Sequence, residues 1–395
     1  MTNRYRSFFA CAFTVVLACP VLAQHGPAPA GTAYFDVFAD GRTLHLLVGE
    51  RDADGAVALL YRASSDHGAN WSAPVRVNAN DEPVFAPHPG ETPQIAARGE
   101  RLLAIWTDAR GEGGHGGPIA SAVSSDGGRT WKPAPNPASD GSKAYHGLVE
   151  LGAGAGGFHA VWLHATEGDG SALYYARSRD GQRWDAQQTV DATTCQCCWN
   201  RVVETRHGFG VLYRDGAPRD MRFATRTDDA WRSVAAGRFD WDFKGCPHVG
   251  GALAVGADDA LHALVWTGVD EERAGLHHLA SADGGATWSK PQRLPSRDAS
   301  LSDLAISSDG TLVAVWAVPG DGASVLHRTE SRDGGKTWSD PRPVSDAASI
   351  AFLPRIVASG SGLVTLWLER RRGTGASLLI DGRPLDPAGA SAGAP

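Results

Sequence analysis

The sequence predicts an all-β fold, a β-propeller of four-stranded blades. Three observations carry that prediction. A turn motif recurs along the chain, an apolar strand ending in an aromatic recurs in step with it, and no stretch shows a useful helical period. The turn motif reads S-x-D-x-G-x-x-W. It stands at Ser64-Asp66-Gly68-Trp71, Ser124-Asp126-Gly128-Trp131, Ser281-Asp283-Gly285-Trp288 and Ser331-Asp333-Gly335-Trp338. A shortened copy lies at Ser178-Asp180-Gly181-Trp184, and a worn one ends at Asp228 and Trp231. The six tryptophans are 60, 53, 47, 57 and 50 residues apart. Ser and Asp side chains can bond the turn amides, and Gly supplies the positive-φ position, so the motif reads as a hairpin turn.

The second register lies about 25 residues before each turn. It comprises Leu102–Trp106, His159–Trp162, Ala263–Trp266, Val313–Trp316 and Val364–Trp367, with Tyr213 taking the aromatic place in the fourth repeat. The two registers absorb eleven of the 13 tryptophans as core residues and leave Trp199 and Trp241, both near cysteines. Each repeat then reads strand, strand, strand, turn, strand. Six repeats carry the turn motif. A seventh unit, Leu353 to Ile380, has three strands, and a strand between Gln24 and Phe38 is expected to complete it and close the ring. Seven blades are favoured, with six as the alternative.

The chain has 395 residues, 42% of them hydrophobic, which is enough to bury a large core. Residues 1–23 read as an export signal. Arg4 and Arg6 precede a ten-residue apolar run, Phe8–Leu17, too short to span a bilayer, and Val21-Leu22-Ala23 offers a cleavage site before Gln24. Val16-Leu17-Ala18 fits a lipobox poorly, so cleavage is expected rather than a lipid anchor at Cys19. The expected organisation is a signal peptide over 1–23, a propeller over 24–382 and a flexible tail over 383–395. The destination is periplasmic or secreted, and no later stretch is long and apolar enough for a helical membrane span. Net charge moves from −7 to −9 without residues 1–23, which argues against nucleic acid as a partner.

The turn motif is the Asp-box of BNR repeats, and the chain resembles the sialidase superfamily over residues 33–382. Cys195-Gln196-Cys197-Cys198-Trp199, Tyr213-Arg214-Asp215, Arg219-Asp220 and Asp240 through Pro247 are similar to a subgroup of exported bacterial Asp-box proteins. For sialidases the resemblance implies three arginines clamping a substrate carboxylate, a Tyr nucleophile activated by Glu, and an Asp acid. The first arginine of that family stands in Phe-Arg-Ile-Pro near the N-terminus. Here that region reads Phe35-Asp36-Val37-Phe38, while Phe352-Leu353-Pro354-Arg355-Ile356 has related composition at the other end. Arg201, Arg214, Arg219 and Arg355 are the arginines left for a rearranged clamp, with Tyr213 or Asp215 acting beside them.

In a propeller, the loops into each innermost strand and those leaving each second strand share one rim, opposite the Asp-boxes. His88, Glu91, His146, Cys195–Arg201, Cys246, His248 and His164 all fall on that rim. The cysteines are its least ordinary feature. Four remain after residue 23: Cys195, Cys197, Cys198 and Cys246. Two disulfides are one reading, most easily Cys195–Cys198 with Cys197–Cys246. The other is a thiolate site for copper(I) or zinc, with His248 or His146 adding an imidazole. In an extended segment Cys195 and Cys197 point one way and Cys198 the other. The leading expectation is therefore a soft-metal-binding propeller with no resident organic cofactor. The alternatives are a sialidase-type hydrolase acting on a glycan, and a disulfide-stapled propeller that binds a protein partner.

Overall fold

A computed structural model describes residues 29–79, 82–86, 90–111, 116–166, 170–227, 230–295, 298–360 and 362–385. The expected export signal, His88 and Asp228 lie outside the described residues. Among the described residues every regular element is a strand.

The strands form seven antiparallel four-stranded blades. Their innermost strands are Gly31–Asp40, Gln94–Arg98, His146–Gly154, Arg201–Thr205, Ala252–Val255, Ser300–Ile306 and Ile350–Ser359. Each touches the next around a central channel, and the seventh touches the first. The last two blades are also joined by one parallel bridge, Ser324 to Ile350. Seven blades are thus correct, but the expected closure is not. Gly31–Asp40 is the innermost strand of blade one, and blade seven makes its own fourth strand, Arg383–Pro384. The ring closes by packing and by the Thr32 N–H donating to Ala376 C=O at 2.9 Å. The flexible tail expected from residue 383 therefore begins with strand residues, and 386–395 lie outside the described residues.

Each blade has neighbours on both faces, so its strands are apolar on both sides. Leu102 to Trp106 is buried at every position. The core is a set of seams between blades, such as Leu46 and Val48 against Leu366 and Leu368 where blade one meets blade seven. Removing such surface from water supplies the main drive for closure, at ~25 cal/mol per Å².

The Asp-boxes form as the sequence requires. In the first, Ser64 Oγ donates to Asp66 Oδ1 at 2.8 Å and accepts from the Gly68 N–H at 2.9 Å. Asp66 Oδ1 accepts from the Asn70 N–H at 2.9 Å, and Trp71 Nε1 donates to Gly68 C=O at 3.1 Å. The other full copies repeat the Ser and Asp bonds around Asp126, Asp283 and Asp333, and Trp131 Nε1 repeats the indole bond to Gly128 C=O at 3.2 Å. Glycine is needed twice over at Gly128: its φ is +87°, and a Cβ would overlap the ring of Tyr61 from the preceding blade. The turn is therefore also an inter-blade contact.

The strand histidines are structural. His45 Nδ1 pairs with Tyr61 Oη and His159 Nδ1 with Tyr175 Oη, both at 2.8 Å, and His262 Nδ1 lies 3.0 Å from His278 Nε2. Burial holds His45, His159 and His262 below the ordinary imidazole range.

Candidate metal centre

The segment leading into blade four runs beside the end of that blade's second strand, Gly208–Arg214. Thr194 bridges to Asp215, and the Cys195 N–H donates to Arg214 C=O at 2.9 Å. Gln196 and Cys197 then turn the chain. This turn overturns the extended geometry expected from sequence: all three thiols face one another. Cys195 Sγ lies 3.2 Å from Cys198 Sγ and 3.6 Å from Cys197 Sγ, and Cys197 and Cys198 are 3.9 Å apart. These are contact distances, well beyond the ~2.05 Å of a disulfide. All three residues are buried. Behind them Trp199 is locked by its Nε1 donating to Gly251 C=O at 3.1 Å, and a Cβ at Gly90 or Gly250 would strike its ring.

The loop into blade five supplies a second set of donors. Asp220 accepts from the Phe239 and Asp240 N–H groups at 2.9 and 2.8 Å, and the Arg219 N–H donates to Trp241 C=O at 2.8 Å. Arg214 ties down the loop's far end through the Val249 carbonyl at 2.9 Å. Thus anchored, the loop brings Cys246 and His248 to Cys197, with the ligand atoms of all three within 4.8 Å of one another. Both are exposed, while Cys197 is buried. Cys197 also belongs to the buried trio, so one sulfur joins an inner set of three thiols to an outer Cys-His pair.

The electrostatics favour a negative charge in the trio. Hydrogen bonding with Cys197 and Cys198, with Arg219 nearby, holds Cys195 well below the ordinary thiol range. Cys197 is pushed up as the donor, and burial pushes Cys198 up to about 12. Tyr145, which sequence reasoning missed, stands beside this cluster. Its hydroxyl donates to Glu91 Oε1 at 2.6 Å, and burial raises Glu91 to about 7. Burial, then the charges of Glu91 and Cys197, raise the Tyr145 phenol. No motif marks Tyr145; only its place one residue before His146 on a rim loop could have suggested it.

The residues considered for hydrolysis do not converge. Tyr213 is buried inside blade four, with its hydroxyl 2.6 Å from Asp191 Oδ2 and 2.7 Å from Ser233 Oγ. Asp215 lies 3.4 Å from Arg222. Arg214 is 2% exposed, and its guanidinium donates to the carbonyls of Val249, Arg219 and Trp266 while lying over the Trp241 ring. Arg219 donates to Phe243 C=O at 3.5 Å. Arg201 and Arg355 sit on innermost strands and line a central cavity whose lining does not include Tyr213. Arg201 pairs with Glu150 at 3.1 Å, and Arg355 pairs with Asp36 at 2.5 Å and Asp303 at 3.2 Å. Asp36, where the sialidase pattern has its first arginine, is thus the counter-ion of Arg355. Among the described residues these candidates do not assemble a three-arginine clamp with a neighbouring Tyr nucleophile.

Those five charged residues line a cavity of about 230 Å³ in the channel. Burial raises Glu150 from 4.5 to about 7 against the pull of Arg201 and Arg355. A carboxyl raised on folding binds more protons in the folded state between those values. Its contribution to stability is therefore lost as pH rises from about 4.5 to 7. Glu150→Gln removes that loss, on the order of 3 kcal/mol between the two limits. Melting at pH 5 and pH 8 should show the variant gaining on the parent at the higher pH; an equal difference at both would refute the assignment. Tyr213→Phe should cost about 1–3 kcal/mol by stripping Asp191 of a donor, and leave metal binding unchanged. Chemical denaturation with a parallel metal titration checks both halves.

The sequence matches the BNR repeat-like domain family over residues 49–312. The chain belongs to that family. Among curated proteins no relative matches. A polysaccharide lyase of family PL25, an ulvan lyase solved bound to -[GlcA(1-4)Rha3S]-, is similar in structure with a TM-score of 0.59 at 11% identity, over 91% of this chain and 96% of that one. A puromycin-hydrolyzing peptidase of Mycobacterium tuberculosis aligns with a TM-score of 0.53 at 11% identity, over 92% of this chain and 53% of the peptidase. A Hadza microbial sialidase gives 0.45 at 16% identity, over 83% and 73%. At these identities the likeness is one of fold, and the rim chemistry of this BNR repeat-like chain must be read from its own residues.

Proposed function

We propose that this BNR repeat-like propeller is an exported binding protein for a soft metal ion, copper(I) or zinc, held on the rim between blades four and five. The observation that carries the reading is the convergence of Cys195, Cys197, Cys198, Cys246 and His248 from two loops, with Cys197 common to both donor sets. Thiolates select copper(I) and zinc over hard cations. Sulfurs about one ion at ~2.3 Å stand ~3.8 Å apart in tetrahedral geometry and ~4.0 Å apart in trigonal geometry. Two of the three sulfur separations, 3.6 and 3.9 Å, lie close to those values, and the third needs Cys195 and Cys198 to part by several tenths of an ångström. Hydrogen bonding with Cys197 and Cys198, with a smaller contribution from Arg219, lowers the Cys195 thiol and favours the deprotonated form that a metal takes. The export signal would place such a site where free copper and zinc are met.

The test is made on the full chain, exported to a bacterial periplasm and purified without chelator. Bound copper and zinc and free thiols are counted on one sample. About one ion per chain with Cys195, Cys197, Cys198 and Cys246 reduced supports the reading. No metal and no free thiol, even after copper(I) is supplied under reducing conditions, overturns it and makes the cysteines disulfide staples.

A further inference from the structure

We propose a second metal site on the same rim, in blade three, for a divalent transition ion of borderline character such as zinc or copper(II). Its ligands are His146, His164 and Asp140. The sheet register assembles it. His146 opens the innermost strand His146–Gly154, His164 is the last residue but one of the second strand Gly157–Ala165, and the two are directly paired across the antiparallel ladder. Their rings stand 4.4 Å apart between centroids. Asp140, from the loop before His146, turns back so that one oxygen serves both: Oδ2 lies 2.9 Å from His146 Nε2 and 3.3 Å from His164 Nδ1. The ligand atoms all fall within 4.8 Å of one another.

Three features point to an ion. His146 is fully buried, and its Nδ1 faces the Ala144 carbonyl at 2.8 Å. That is the outer hydrogen bond that fixes a metal-ligating histidine, since it keeps the hydrogen on Nδ1 and aims the Nε2 lone pair at the site. Asp140 and His164 keep side-chain exposures of 22% and 20%, which leaves a way in from solvent. The spacing also fits. With ligand bonds of ~2.1 Å, adjacent donors stand ~3.0 Å apart at right angles and ~3.4 Å apart in a tetrahedron. Two imidazoles and a carboxylate occupy three positions and leave the rest to water or a bound molecule, unlike the thiol-rich set in blades four and five. The two sites would sort ions by softness, thiolates taking copper(I) and the imidazole-carboxylate set taking the divalent ion.

The experiment uses the full reduced chain. Silver(I), which is thiophilic and silent in electron paramagnetic resonance, is added to saturation and its stoichiometry recorded. One equivalent of copper(II) follows, and the spectrum is read. The expected result is a protein-bound copper(II) signal with nitrogen hyperfine splitting, lost in His164→Ala and in Asp140→Asn while silver uptake is unchanged. His164 is partly exposed, so its replacement should leave melting near the parent value. A parent spectrum equal to copper(II) in buffer, or a signal unmoved by both substitutions, overturns the proposal and leaves the trio as a hydrogen-bonded staple holding a proton. Failure of silver to bind with the copper(II) signal intact would sink the thiolate reading alone and uphold this one.

Discussion

Replacing Cys197 with Ser should lower copper(I) affinity by more than any other single rim substitution, on the order of 100-fold or beyond. The reason is its position. Cys195 and Cys198 belong to the inner set alone, and Cys246 and His248 to the outer set alone, while Cys197 belongs to both. Loss of an outer-shell partner costs a metal site 10–100-fold, and loss of a ligand shared by both sets should exceed that. Cys246→Ser leaves three buried thiols in place and should weaken binding far less. Competition against a chromophoric copper(I) chelator would rank the variants, with melting temperatures to show that each is folded. Equal affinity for Cys197→Ser and the parent, or a larger loss in Cys246→Ser, would refute the shared-sulfur geometry. Hydroxyl for thiol in a pocket where Cys197 is 5% exposed changes little volume, so the loss reports ligation rather than packing.

The propeller was legible in the sequence because its determinants are local and repeated. Ser, Asp and Gly of each Asp-box are needed within one eight-residue turn, and Trp106, Trp162 and Trp316 mark buried second strands. Rim placement of Cys195–Cys198, Cys246 and His248 follows from strand order alone, and the structure brings Cys246 and His248 to Cys197. What stayed hidden depends on non-local geometry. The turn at Gln196–Cys197 rotates the third thiol inward, where alternation along a strand would send it outward. Ring closure could not be read either, because the fourth strand of blade seven is only Arg383–Pro384, too short for any pattern. The arginine pairings were hidden for a related reason. Arg355 and Asp36, 319 residues apart, meet on innermost strands of adjoining blades. Asp36 also accepts from the Ile95 N–H and Asp303 from the Ile356 N–H, each at 2.9 Å, so these carboxylates join neighbouring blades as well as holding Arg355. Nor does any spacing rule link Asp140 to His164; the link is the cross-strand pairing of His146 with His164.

Arg214 offers the second large effect, and it separates an internal brace from a substrate clamp. Its guanidinium is spent on three backbone carbonyls from three segments: Arg219 after the second strand of blade four, Val249 in the loop carrying Cys246 and His248, and Trp266 in blade five. Arg214→Met keeps a buried apolar stem against Trp241 but withdraws the donors. Each carbonyl left without a partner costs about 1–3 kcal/mol, partly offset because a charge no longer has to be buried. The expected net loss is about 3 kcal/mol, large for a single substitution and visible as a melting point lowered by several degrees. The loss should also travel to the rim. With Val249 released, Cys246 and His248 are no longer held against Cys197, so affinity should fall toward that of Cys246→Ser while the buried trio still binds. Adding Cys246→Ser to Arg214→Met should then weaken binding little further, since both act on the same outer pair. An arginine waiting in a pocket for a carboxylate would behave in the opposite way. Its removal would leave stability untouched, or raise it by relieving an unpaired charge, and metal affinity would not move.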